Sequence, residues 1–364
     1  MSDAQTQENT TAPAADTAPI PAEVSTQMES AVATQSAESV PTVSSAAPAL
    51  TDTAATINAP TSPASPETAA ATQATATLPP EETGIKEKLI SEQQTPIAQL
   101  WALAQSIGHP EIWGVNLADP ATHVPTQIIL QKYLNANDGD LAKAKDQLQK
   151  TLEWRAKTKP LELINKTFSK AKFEGLGYVT TYTEEGSSDP EGKEVFTWNI
   201  YGATKSIEKT FGKLDEFLEW RIALMELALK ELDIGSATKP ITENYDPYKI
   251  FQVHDYKSVS FLRQSPQVKS ASTKTIEVFA QNYPELLKEK FFVNVPAIMG
   301  FIYNFMKLFV APKTIKKFHP MSNGQNLSRE FGASKITSLG EKLPPNYGGK
   351  GASLEDQGKG PLLE

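Results

Sequence analysis

The stretch Lys249-Ile-Phe-Gln-Val-His-Asp-Tyr-Lys-Ser-Val-Ser-Phe-Leu262 sets the architecture of this chain. Its aromatic and β-branched residues predict a strand over Ile250–Ser260. Working outward, helical periodicity predicts helices over Lys213–Leu232 and Ser270–Gln281. Strands are expected at Lys290–Val295, Tyr178–Tyr182 and Val195–Tyr201, the last two joined by the acidic, turn-rich loop Glu184–Gly192. Strands alternating with helices call for crossover connections. The fold class is therefore α/β with a mostly parallel sheet.

Side chains on a strand alternate between faces, so Ile250, Gln252, His254 and Tyr256 share one face while Phe251, Val253 and Asp255 share the other. An imidazole and a phenol then enter one volume together. A phenol ionises near pH ~10 in water, but a ferric centre stabilises phenolate, and tyrosine is an established axial ligand of haem. A His-x-Tyr on a strand is usually an ordinary pair of half-buried amphipathic side chains with satisfied hydrogen bonds. On the Lys213–Leu232 helix, Phe217, Arg221, Leu224, Met225, Ala228 and Leu232 fall on one face, placing Arg221 in an apolar stripe. Either its stem snorkels or it pairs with a carboxylate such as Glu226 or Asp215, or it awaits a phosphate or a propionate.

Phe291–Val310 is the most apolar stretch of the chain. Asn294, Pro296, Asn304 and Lys307 interrupt it well short of the ~20 residues a membrane span needs. It reads as a buried strand followed by a hydrophobic helix, Pro296–Phe309. Ahead of the sheet, helices are expected at Pro96–Ile107, Thr126–Asn137 and Asp140–Lys157. The last is marked by Leu141, Ala144, Leu148 and Leu152, with Asp140 as N-cap and Pro160 as stop.

Composition divides the chain before residue 86. Residues 1–85 hold ten of the 43 acidic residues, none of the 35 basic ones and no Phe, Trp or Tyr. Such a segment buries too little apolar surface to offset its ordering entropy and is expected to be a disordered acidic tail. It has neither the basic start nor the apolar run of a targeting peptide. Residues 86–364 carry only a small basic excess, not the concentrated stripe of a nucleic-acid surface. With no cysteine there is no disulfide, thiolate metal site, nucleophilic thiol or covalent c-type haem attachment. The four histidines lack zinc-hydrolase spacing, and there is no phosphate loop or nucleophile elbow. Nothing prescribes turnover, so the chain does not read as an enzyme.

Five motifs stand in order: Leu148-Gln-Lys-Thr-Leu-Glu-Trp-Arg155, Asn282-Tyr-Pro-Glu-Leu-Leu287, Val293-Asn-Val-Pro-Ala297, Lys313-Thr-Ile-Lys-Lys317 and Leu343-Pro-Pro-Asn-Tyr-Gly-Gly349. Together they resemble the CRAL-TRIO lipid-transfer family over roughly residues 95–350. Trp220-Arg-Ile-Ala-Leu-Met-Glu226 and Gln252-Val-His-Asp-Tyr-Lys257 resemble its fungal phosphatidylinositol-transfer branch that binds haem.

The resemblance implies a helical lobe (86–165), an α/β lobe (166–350) whose sheet floors a hydrophobic pocket under a helical gate, and a C-terminal tail (351–364). It implies that Glu285, Thr314 and Lys317 contact an inositide headgroup, although the family's basic Leu-Arg-Ala-Arg-Lys segment is here Leu134-Asn-Ala-Asn-Asp138. For the haem branch it implies ferric haem b with Tyr256 as axial ligand to the iron, His254 beside it, and Tyr201, Arg221 and Lys290 as further contacts. Expected partners are haem, phosphatidylinositol and anionic membranes such as the endoplasmic reticulum, met peripherally from the cytoplasm through the apolar gate and Lys307, Lys313, Lys316 and Lys317. Three functions stay open: phospholipid exchange, haem handling, and an acidic-tailed scaffold in phosphoinositide signalling.

Overall fold

A computed structural model describes residues 95–259, 265–296 and 312–364. The expectations for the acidic tail and for the apolar helix Pro296–Phe309 lie outside these residues. Among the described residues, no helix is long and apolar enough to cross a membrane.

A short antiparallel pair, β1 (Glu111–Ile112) and β2 (Val115–Asn116), precedes the main sheet. That sheet holds β3 (Gly177–Thr183), β4 (Lys193–Ile200), β5 (Ile250–Asp255), β6 (Leu287–Val293) and β7 (Phe318–Pro320), in that spatial order. β3 pairs antiparallel with β4, as a hairpin must. The remaining pairings are parallel. The parallel register forces long crossovers, supplied by the helices Leu214–Leu232 and Pro266–Asn282.

Three of the longer helices begin at side-chain caps. Thr95, Asp140 and Ser265 each accept a bond from a first-turn N–H, starting Pro96–Ile107, Leu141–Thr158 and Pro266–Asn282. Ala144, Leu148 and Leu152 are buried as the helical stripe requires, while Leu141 is only partly covered. Pro160 does not simply stop the helix. Lys159 turns to a φ of 50°, and Pro160 then opens a further short helix, Pro160–Leu163.

The strand expected to reach Ser260 ends at Asp255. Asp255 Oδ1 accepts from Lys257 N at 2.8 Å, and Ser258 has a φ of 64°, so the chain turns instead of extending. Residues 351–364, expected as a tail, are built into the molecule. Lys359 pairs with Val179 on β3, and Phe168 N donates to Leu362 O at 2.8 Å. Leu354 is buried beneath. The outer edge of β3 carried unpaired backbone groups that these residues satisfy.

The two faces of the sheet differ. Phe196, Trp198, Phe251, Val253, Phe291 and Val293 pack against Leu327, Phe331, Leu339 and Tyr347 of the C-terminal segments, making one apolar layer. The opposite face meets the two crossover helices, where Val195 and Ile250 join the large core shared with the N-terminal helices.

Candidate functional site

Alternation delivers Gln252, His254 and Tyr256 to the crossover-helix face. Asp255 points the other way, where its carboxylate accepts from Tyr347 Oη at 2.9 Å and Asn294 Nδ2 at 2.8 Å. Tyr201 follows the end of β4, so its phenol reaches the end of β5. The Tyr201 hydroxyl and His254 Nδ1 are 2.9 Å apart, and the Tyr201 and Tyr256 ring centroids are 5.2 Å apart. Phe292 of β6 lies against both His254 (5.6 Å) and Tyr256 (6.3 Å). This cluster lies at the carboxyl ends of β4 and β5, where open α/β sheets hold ligands.

Two cations complete it. Lys290 Nζ stands 5.4 Å from the Phe292 ring and 5.5 Å from the Phe318 ring. The Arg221 guanidinium stands 5.3 Å from Phe279 and 6.0 Å from Trp220. Arg221 is 5% exposed, yet among the described residues neither Arg221 nor Lys290 has a carboxylate within ion-pairing distance. The suggested partner Glu226 is taken: it binds Arg155 at 2.7 Å and Tyr283 Oη at 2.7 Å.

Electrostatics follow from this enclosure. Burial, with Arg221 adding to it, lowers the Lys290 ammonium to about 7. Burial lowers Arg221 and raises Tyr201, while each of that pair partly offsets the other's shift. Burial, then Lys290 and Arg221, holds His254 well below the usual imidazole range and so neutral. Burial, with Tyr201 adding to it, pushes the Tyr256 phenol up. Tyr201, Tyr256 and Lys290 are nonetheless only half-buried. Groups both deep and partly uncovered line a recess instead of filling a core. Tyr201, Arg221, His254, Tyr256 and Lys290 are thus brought together.

Glu285, Thr314 and Lys317 gather elsewhere, toward the amino ends of β5 and β6. Lys317 Nζ donates to Leu287 O at 2.9 Å, and its backbone N–H donates to Thr314 O at 3.1 Å. Glu285 has a φ of 54°, and its carbonyl accepts from the buried Lys132 at 3.0 Å. Its carboxylate lies 3.8 Å from Lys313.

Lys313 itself reaches the segment that departs from the family pattern. It donates to Asn135 O (3.0 Å), Ala136 O (3.3 Å) and Asp138 Oδ1 (2.9 Å) at a helix C-terminus, an end that attracts cations. Sequence reasoning missed this latch, and no spacing signal in the chain points to it. It also missed Asn199, which β4 sets beside His254.

With this geometry in view, the comparisons decide the family. The CRAL/TRIO domain family matches residues 183–349. A phosphatidylinositol transfer protein sfh-5 from Neurospora crassa is 62% identical over 272 residues, covering 74% of this chain and 75% of that one. The chain belongs to the CRAL-TRIO family, among the fungal Sfh5 proteins. A phosphatidylinositol transfer protein SFH5 from Chaetomium globosum is 80% identical over 270 residues, 74% of this chain, and the match spans 62% of that longer relative. A crystal structure of Sfh5 superposes with a TM-score of 0.57 at 27% identity, covering 74% of this chain and 94% of that one. In this chain the recess and the Lys317 cluster therefore sit on a CRAL-TRIO sheet.

Proposed function

We propose that the chain is a carrier and not an enzyme, exchanging phosphatidylinositol and also suited to ferric haem b in its recess, where Tyr256 would ligate the iron. One observation carries the haem reading: Arg221 is buried beside Lys290 with no carboxylate among the described residues to neutralise either. Buried cations without partners are costly, so the recess calls for a ligand with negative charge. The residues present fit haem. Arg221 and Lys290 match two propionates, Phe292 and Tyr201 offer ring faces, and His254 Nε2 is buried without a partner among the described residues.

When bound, haem supplies a ferric centre that takes a hard anionic oxygen. The protein's share is to present Tyr256 and release its proton, to keep His254 neutral, and to clamp the carboxylates. Because burial pushes the Tyr256 phenol up, binding iron would require it to give up its proton, so occupancy should fall as pH falls. Tyr256→Phe is expected to abolish the Soret absorbance of the freshly purified, folded chain. Full occupancy with an unchanged spectrum in that variant rejects the tyrosine ligand.

For the lipid, the names of the Neurospora and Chaetomium relatives and the Glu285, Thr314, Lys317 cluster support phosphatidylinositol exchange. A lysine and a hydroxyl suit a phosphodiester, and a carboxylate suits inositol hydroxyls. Membrane contact is then peripheral, favoured by Lys313, Lys316 and Lys317 at an anionic leaflet such as that of the endoplasmic reticulum, and weakened by salt. Vesicle-to-vesicle transfer of labelled phosphatidylinositol should fall in Lys317→Ala. Equal rates reject the headgroup assignment.

A further inference from the structure

Asn199 of β4 and His254 of β5 are partners in the parallel register. Their side chains therefore leave the sheet on the same face, the one lined by Tyr201 and Tyr256. Asn199 is 1% exposed and His254 5% exposed. Asn199 Nδ2 donates to Val253 O at 3.2 Å, which fixes the amide and turns Oδ1 away from that carbonyl. The Tyr201 hydroxyl engages His254 Nδ1, which fixes the ring. Each side chain is thus held by one polar atom, and each presents a second, Asn199 Oδ1 and His254 Nε2, that is buried with no hydrogen-bond partner among the described residues. A buried polar atom without a partner costs stability, and two of them side by side at one register point to a group that completes both.

We infer that Asn199 contacts the ligand: its Oδ1 and His254 Nε2 together hold one O–H group, either a hydroxyl of the bound molecule or a water carried in with it. This rests on the reading above that the recess takes a ligand. Asn199 Oδ1 only accepts, so the group must donate. If the Tyr201 hydroxyl donates to Nδ1, Nε2 carries hydrogen and the same O–H oxygen accepts from it. If Nδ1–H donates to Tyr201, Nε2 accepts, and a water's second hydrogen serves it. Ionised haem b has no O–H of its own, so its partner in this niche is water, whereas a phosphatidylinositol seated with its headgroup at this end of the strands, and not at Lys317, supplies a hydroxyl directly.

The test compares wild type, Asn199→Leu, Asn199→Ala and Tyr256→Phe as full chains, measuring haemin titration, phosphatidylinositol loading from vesicles and the melting temperature of the ligand-free protein. Asn199→Leu removes the orphaned carbonyl and blocks the niche. At least one of the two ligands should bind tenfold or more weakly, while the ligand-free melting temperature holds or rises. Asn199→Ala leaves space for water and should show a smaller loss. Weakening confined to haemin assigns a water in the niche, and weakening of phosphatidylinositol loading assigns a hydroxyl. Wild-type binding of both ligands by Asn199→Leu overturns the inference, as does a drop in melting temperature that parallels the binding loss. If Tyr256→Phe alone keeps wild-type haemin affinity, the tyrosine assignment fails and the niche is still read through the Asn199 variants.

Discussion

Two buried arginines stand on or against the same crossover helix and face opposite circumstances. Arg155 is fully buried, but its guanidinium meets Glu226 at 2.7 Å and Glu111 at 2.8 Å, and Tyr283 Oη donates to the same Glu226. Arg221, five residues before Glu226, is nearly as buried and among the described residues meets aromatic rings and no carboxylate. The first is a closed network in which every charge has its counterpart. The second is half of one. Buried charge that the chain neutralises itself serves the fold; buried charge that it leaves open is kept for something that arrives.

The widest break in this comparison is Arg155→Met. It strands Glu226 and Glu111 in the core and should destabilise the chain by about 3–5 kcal/mol in denaturant unfolding. Arg221→Met should leave the unfolding free energy of the ligand-free chain unchanged or higher while weakening haem retention about tenfold or more, as loss of a charged hydrogen bond worth roughly 1.5–3 kcal/mol implies. Equal stability losses in the two variants would collapse the distinction.

Lys290 sharpens it through pH. Its folded value of about 7 lies below the 10.5 of an ordinary lysine. Between those values the unfolded chain binds more protons, so unfolding free energy rises with pH across that window, and below about pH 7 the penalty is in full force. Lys290→Met should therefore stabilise the ligand-free chain at pH 6 and bring little change at pH 10. A bound dianion should reduce that difference. The smallest effect belongs to the Lys313 latch: Asp138 is 86% exposed, so Asp138→Asn should cost under about 1 kcal/mol and vanish in high salt.

Why one arginine was legible in sequence and the other was not is a matter of range. Arg221 stood out because a charge in an apolar helical stripe breaks a local pattern. His254 and Tyr256 followed from the two-residue period of a strand. The same periods placed the crossover helices and four strands of the main sheet to within a few residues, apart from the far end of β5, but not the three-residue β7, which is too short to show a period. Arg155 looked like one basic residue among others on its helix, because its partners lie 44 and 71 residues away. Asn199 was hidden for a similar reason: its meaning depends on β4 lying in register with β5, and pairing register is a long-range property. The overrun of β5 to Ser260 came from Val259 and Phe261 continuing a β-like composition past a turn that Asp255 imposes.

The pairing of residues 359–363 along Phe168 and β3 bears on how the molecule behaves among its own copies. A sheet edge with open N–H and C=O groups is a template on which a second chain can build, and here the molecule fills the middle of that template, at Val179, from within. Shortening the chain to end before Lys359 would uncover the seam, and its first consequence should be concentration-dependent clumping instead of a weaker grip on any ligand.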